Sequence, residues 1–97
     1  MLAKPIDFVD RFCSQLRVPA TVTENAIRVT TDVTQKRLVS DNPSLVASAC
    51  LLIVFKHDSV KLTSSDVQTV SNISHVTIDK CYKKLLVFYD DLILCLH

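Results

Sequence analysis

One uncharged stretch, PSLVASACLLIVF at residues 43–55, sets the architecture of the chain. Pro43 suits the first turn of a helix and Asn42 suits its N-cap, so we predict a helix that begins near Pro43. Its apolar run from Leu45 is eleven residues long. A membrane span needs about 18 or more, so no membrane association is predicted. Because the stretch is apolar on every side, we expect it to lie at the centre of a helical domain.

The size and composition of the chain are those of one folded domain. Its 97 residues can hold a single core, and we predict one domain over residues 1–97. Hydrophobic residues make up 48% and charged residues 22%, which excludes a disordered chain. Glycine is absent. Tight hairpin turns and glycine-dependent phosphate loops are therefore disfavoured, and with them an all-β fold and the common nucleotide sites.

Charge and cysteine spacing narrow the classes of ligand. The net charge of +1 gives no general attraction to nucleic acid or to an anionic membrane, so any such binding must be local. Cys13, Cys50, Cys81 and Cys95 include no Cys-x-x-Cys pair, which favours buried reduced thiols and predicts neither a metal site nor a cofactor. Residues 1–5 lack the apolar core of a signal peptide, which favours a reducing intracellular compartment.

Spacings of three and four between apolar residues predict four more helices around the central one, although Val, Ile and Thr by themselves favour strands. Two precede it, at residues 6–16 and 20–38. A short fourth helix follows the capping-box sequence that runs from Thr63 to Asp66. The last helix is predicted from near Ser74 to Leu96, with a stripe that packs on the central helix. The stripe consists of Ile78, Tyr82, Leu85, Tyr89, Leu92 and Leu96.

The fourth and fifth helices are joined by a tight polar turn, which predicts a helix-turn-helix. Such a turn usually contains a residue at positive φ. Asn72 occupies that position, because asparagine adopts the left-handed conformation more readily than other non-glycine residues. We expect Ile73 to fill the angle between the helices and Ser74 to cap the second helix. Residues near the start of that helix could then enter a major groove of DNA.

The residues alone leave DNA binding and protein binding both open. Tightly turned helix pairs are common in helical domains that bind no DNA, and a lysine-rich helix face is often merely solvated. No constellation of nucleophile, base and orienting group is visible, so no catalytic residue and no small-molecule substrate are predicted. A dyad of His57 with a cysteine is the weaker, enzymatic alternative.

Three segments resemble the second cyclin-like repeat of transcription factor IIB, in its order and at about its spacing. They are RFCSQL at residues 11–16, PSLVASA at residues 43–49, and residues 63–85 with Val76-Thr77-Ile78 and Tyr82. The resemblance covers most of the chain, from about residue 8 to residue 85. It implies an all-α, cyclin-like fold of five helices with the third at the centre, and a helix-turn-helix made by helices 4 and 5.

The resemblance also implies a function. In that family the repeat binds promoter DNA beside the TATA box, in complex with TATA-box-binding protein, and helps to recruit RNA polymerase II in the nucleus. It is not an enzyme. Because the family also carries a zinc ribbon and a first repeat, we expect this chain to be a fragment of a longer initiation factor. The alternative is a cyclin-like protein-interaction domain without direct DNA binding.

The family's base-reading positions correspond to Val76, for apolar contact, and to Asp79, where a long basic side chain is typical. A carboxylate can accept a hydrogen bond only from cytosine and it repels phosphate. We therefore expect salt-sensitive, mostly nonspecific contact with the DNA backbone. The residues predicted to bind DNA are Lys61, Ser74, His75, Val76, Thr77, Asp79, Lys80, Lys83 and Lys84.

Overall fold

The computed structural model describes residues 4–96, so both ends of the predicted 1–97 domain lie outside it. Residues 1–3, part of the segment considered above for a signal peptide, are among those outside the described residues. The described residues form helices and no strand, which confirms the all-α prediction. The α-helices are α1 (Pro5–Leu16), α2 (Ala20–Lys36), α3 (Pro43–His57), α4 (Ser64–Ser71), α5 (His75–Leu86) and α6 (Tyr89–Ile93), followed by a 3-10 helix (Leu94–Leu96).

Helix α3 lies at the centre of the domain, as predicted. Residues 46–55 are all buried, because α1, α2, α4 and α5 each pack against this helix. Asn42 caps it, since its Oδ1 accepts a hydrogen bond from the Ser44 amide at 3.0 Å. Within residues 4–96, no helix combines the length and the apolar character that a membrane crossing needs.

The chain reaches left-handed backbone without glycine. Four residues of the described part of the chain have positive φ, namely Arg17, Arg37, Ser59 and Asn72. Only Asn72 was predicted. Arg17 and Arg37 end α1 and α2, and the next amide in each case bonds back into the last turn, from Val18 to Cys13 O and from Leu38 to Val33 O at 3.3 Å. These bonds end α2 at Lys36. The periodicity had predicted that this helix extends to Leu38, so that boundary was wrong.

The last predicted helix, from Ser74 to Leu96, is wrong as a single element. Helix α5 ends at Leu86 and α6 begins at Tyr89, so the described residues form six α-helices where five were predicted. At the break the Phe88 amide donates to Leu85 O at 2.9 Å. The change of direction carries α6 and the 3-10 helix onto α2. The apolar stripe continues across the break, since Leu85 and Leu92 are both fully buried.

Candidate nucleic-acid interface

Helices α4 and α5 form the tight pair that the sequence predicted. Asn72 ends α4 in the left-handed conformation, with φ 60° and ψ 23°, and its amide donates to Gln68 O at 2.9 Å. Ile73 is half-buried against the core. Val67 and Ile78, one on each helix, are fully buried. The angle between the two helices is thus fixed by the core and by one non-glycine residue at positive φ.

Side chains cap both helices of the pair. At the start of α4, Asp66 Oδ2 accepts from the Thr63 amide at 2.8 Å, as the capping box predicted. At the start of α5, Ser74 Oγ accepts from the Val76 amide at 3.3 Å, which confirms the predicted cap. These bonds fix where each helix begins, and therefore which residues of α5 face outward.

A further contact crosses the turn and was not predicted. Gln68 Oε1 lies 2.7 Å from the His75 amide nitrogen and 3.0 Å from His75 Nδ1. The two residues are seven apart, a spacing that belongs to no helical pattern because the turn lies between them. The backbone donors of His75 and Val76 are thus both used within the motif.

Helix α5 has a buried face and an exposed face. Ile78, Cys81 and Leu85 are buried against α3. The exposed residues of α5 coincide with most of the predicted DNA-binding set: His75, Val76, Thr77, Lys80, Lys83 and Lys84. Ser74, which caps α5, and Lys61, in the loop before α4, are also exposed. Val76 is an apolar side chain that is 51% exposed in the first turn.

Lys84 differs from the other two lysines of α5. Its Nζ lies 3.3 Å from Asp41 Oδ2, in the loop between α2 and α3. Asp41 also accepts a hydrogen bond from Cys81 Sγ at 3.5 Å. Asp41 and Lys84 are 43 residues apart, so the sequence pattern could not reveal this pair. Among the described residues, Lys80 and Lys83 are the exposed lysines of α5 that form no ion pair.

Asp79 lies at the edge of the exposed face. Its side chain is half-buried. Burial raises the pKa of the Tyr82 hydroxyl, with smaller contributions from Tyr89 and from the carboxylate of Asp79. The negative charge of Asp79 therefore acts on the hydroxyl of Tyr82, which lies one turn further along α5. With three lysines and this one aspartate, α5 carries a formal charge of +2.

The thiols are structural in character. Cys13, Cys50 and Cys81 are buried as predicted, whereas Cys95 is half-buried. Burial raises the pKa of Cys50 to about 12, and burial together with the nearby Asp41 raises that of Cys81 to about 12. Such thiols are poor nucleophiles near neutral pH. Residues 4–96 contain no group of three or more His, Cys, Asp or Glu side chains that could hold a metal ion.

Comparison with known proteins identifies the family. The family described as "Transcription factor TFIIB repeat" matches residues 1–87. Transcription initiation factor IIB of Methanothermococcus thermolithotrophicus is 34% identical over 87 residues, which are 89% of this chain and 26% of that protein. The same factor of Methanocaldococcus jannaschii is 34% identical over 87 residues, 89% of this chain and 13% of the relative.

A viral protein is similar as well. The putative transcription initiation factor IIB-like protein of Acanthamoeba polyphaga mimivirus is 30% identical over 80 residues, which cover 81% of this chain and 17% of the relative. The chain thus spans about a quarter or less of the length of these relatives. The TFIIB family that the motifs predicted is confirmed, and the archaeal relatives named above are transcription initiation factors. The chain belongs to the TFIIB repeat family.

Proposed function

We propose that this repeat binds promoter DNA beside the TATA box through the exposed face of α5, as part of a complex with TATA-box-binding protein that helps to recruit RNA polymerase II. The observation that carries the proposal is the exposed face itself. It presents Val76, 51% exposed, with Lys80 and Lys83 on a helix whose other face is locked into the core. A rigid helix with a basic, exposed surface is suited to the major groove.

The side chains of that face would make two kinds of contact, with phosphates and with a base. Lys80 and Lys83 would neutralise phosphates, and Lys61 would add a cation from the loop before α4. Val76 would contact a thymine methyl group. Lys84 can reach a phosphate only by leaving Asp41. Ser74, His75 and Thr77 would offer hydroxyl and ring donors near the start of the helix.

Asp79 limits sequence readout. A carboxylate in the groove can accept from cytosine but cannot make the paired hydrogen bonds that arginine makes to guanine. We therefore propose that binding is weak, salt-dependent and mostly nonspecific, and that specificity in the complete assembly depends on TATA-box-binding protein.

The position of this repeat within a longer factor is a separate matter. The motifs at residues 11–16 and 43–49 resemble the second repeat, whereas the matches to the relatives suggest the first. The DNA proposal rests on α5 and not on that assignment. The matched relatives are archaeal and viral, so the predicted nuclear location is proposed only for a eukaryotic source.

A protein-binding domain is the second candidate, because large apolar side chains are exposed directly after α5 and in the 3-10 helix. Val87 is 80% exposed at the end of α5, and Leu94 is 66% exposed in the 3-10 helix. Together with a net charge of only +1, they favour a protein partner at the C-terminal end of the domain.

The test is binding of a labelled TATA-containing duplex over a series of salt concentrations, with and without TATA-box-binding protein. We expect the affinity to fall with salt, and Lys80→Glu with Lys83→Glu to weaken binding and to lower the salt slope by about two. The control is Arg28→Glu with Lys36→Glu, which makes the same change of charge on α2. No binding at low salt, even with the partner, would exclude the DNA proposal and leave the protein-binding candidate. A flat salt response would exclude the contact between lysine and phosphate.

A further inference from the structure

Gln68 fixes the ring of His75. Its Oε1 lies 2.7 Å from the His75 amide nitrogen and 3.0 Å from the ring nitrogen Nδ1. A backbone amide can only donate, so the side-chain atom that faces it must be the oxygen of Gln68 and not its NH2 group. The backbone thereby decides the orientation of an amide that distances alone would leave open.

The orientation of Gln68 decides the tautomer of His75. The carbonyl oxygen of an amide can only accept, so Nδ1 must carry the hydrogen in the bond between them. In the neutral ring the other nitrogen, Nε2, then has a bare lone pair, which is repelled by a phosphate oxygen. In the protonated ring Nε2 carries a hydrogen and the ring a positive charge, and both favour a phosphate.

We propose that Gln68 positions His75 as a pH-dependent phosphate contact, so that affinity for DNA rises as the pH falls through the range in which imidazole gains a proton. The inference rests on the proposed function, because it assigns regulation to the same exposed face of α5. Gln68 is a positioning residue here, and Nε2 of His75 is the contacting atom. Histidine is the side chain whose charge ordinarily changes closest to neutral pH, so binding in mildly acidic and mildly alkaline solution is the comparison that tests this contact.

The other charged groups around His75 on these two helices are carboxylates and lysines. On α4 the charged residue is Asp66, which holds the Thr63 cap at 2.8 Å. On α5, Asp79 lies one turn after His75 and is followed by the three lysines. His75 is therefore the only imidazole of the described helix pair, and a substitution of His75 tests its contribution separately.

A second histidine must be separated from the first. Helix α3, against which α5 packs, ends in Lys56 and His57. His57 Nδ1 lies 2.7 Å from Asp58 Oδ1. His57 is a second imidazole in the described chain, so the experiment needs a variant of each.

The binding test uses the labelled duplex at constant ionic strength between pH 6 and 8. We expect binding about threefold tighter at pH 6 than at pH 8, the size of one exposed charged contact. His75→Gln, which keeps a polar side chain without a proton to gain, should remove the pH dependence. His57→Gln should leave it in place. Binding that is equally tight at pH 6 and 8, or a dependence that survives His75→Gln, would overturn the inference while leaving the DNA proposal intact.

The role of Gln68 is tested by ring nitrogen NMR without DNA. At pH 8 we expect the hydrogen of His75 on Nδ1. In Gln68→Met, which removes the acceptor and keeps a good helix former, the hydrogen should move partly to Nε2. Gln68→Glu, which restores an acceptor, should restore Nδ1 protonation. A hydrogen on Nε2 in the unaltered chain at pH 8 would overturn the proposed positioning. If no DNA binds at any pH, the proposed function fails and the pH-dependent contact fails with it.

Discussion

The two faces of α5 share twelve residues and obey different constraints. Toward α3, Ile78, Cys81 and Leu85 are at most 1% exposed, and each is held by the surrounding core. Toward solvent, Val76 is 51% exposed, and of the three lysines of α5 Lys84 alone forms an ion pair among the described residues. The fold therefore specifies the inner face, whereas the outer face can change without unfolding the protein. Asp79 lies at the edge between the two faces and is half-buried.

The largest expected effect is on the inner face. Leu85→Ala should lower the free energy of unfolding by about 3 kcal/mol, because it leaves a cavity beside α3 that the core cannot fill. Lys83→Ala, two residues earlier on the outer face, should change it by less than about 0.5 kcal/mol. Urea denaturation of both variants measures the difference. Equal losses would mean that the two faces are not distinct in the way described.

High pH should lower the stability of the packing between α3 and α5, where Cys50 and Cys81 are buried. The pKa values of Cys50 and Cys81 are raised to about 12 in the folded chain, from 9.0 for an ordinary thiol. The unfolded thiols therefore lose protons first, so stability is complete below pH 9 and falls between about pH 9 and 12. At pH 10 Cys50 alone should account for about 1 kcal/mol of the loss. Urea denaturation at pH 7.5 and pH 10 tests this, and Cys50→Ala should reduce the pH dependence. Stability that is constant over this interval would contradict the assigned burial of the thiols.

Asn72, in the turn between α4 and α5, should tolerate replacement by glycine better than replacement by alanine. Asn72→Ala should lower the free energy of unfolding by about 1 kcal/mol, because alanine adopts positive φ less readily than asparagine does. Asn72→Gly should be nearly neutral. Thermal denaturation of the two variants provides the measurement. A more stable alanine variant would show that the left-handed conformation at this turn is not required.

The sequence pattern predicts the buried part of the fold well, because buried residues recur at the spacing of a helix. The central helix, the caps at Asn42 and Ser74, and positive φ at Asn72 all follow from local rules. The break after Leu86 does not, since neither proline nor glycine marks it and the stripe from Leu85 to Leu92 runs straight through. Nor does left-handed backbone at arginine, a residue with no preference for it.

The candidate site was predictable only in part. Exposure of its lysines follows from their positions off the core stripe. Their partners do not follow, because Lys84 pairs with Asp41 across 43 residues and His75 pairs with Gln68 across a turn. Contacts of this kind depend on how the helices are arranged, and helical periodicity does not encode that arrangement.

The smallest expected effect belongs to the outer face. Val76→Ala should leave stability within about 0.5 kcal/mol of the original, since half of the side chain is already in solvent. It should weaken binding of the duplex about threefold by removing apolar contact with the groove. Fluorescence anisotropy at low salt measures this. Lost stability with unchanged DNA affinity would place Val76 in the core and not in the interface.

The most direct test of the account is amide NMR during titration of the folded domain with a TATA-containing duplex at low salt. We expect the largest shift changes at Val76, Thr77, Lys80 and Lys83, on the outer face of α5, with small changes in α2. Changes concentrated in α6 and the 3-10 helix, or no changes at all, would contradict the assignment of α5 as the DNA-binding element.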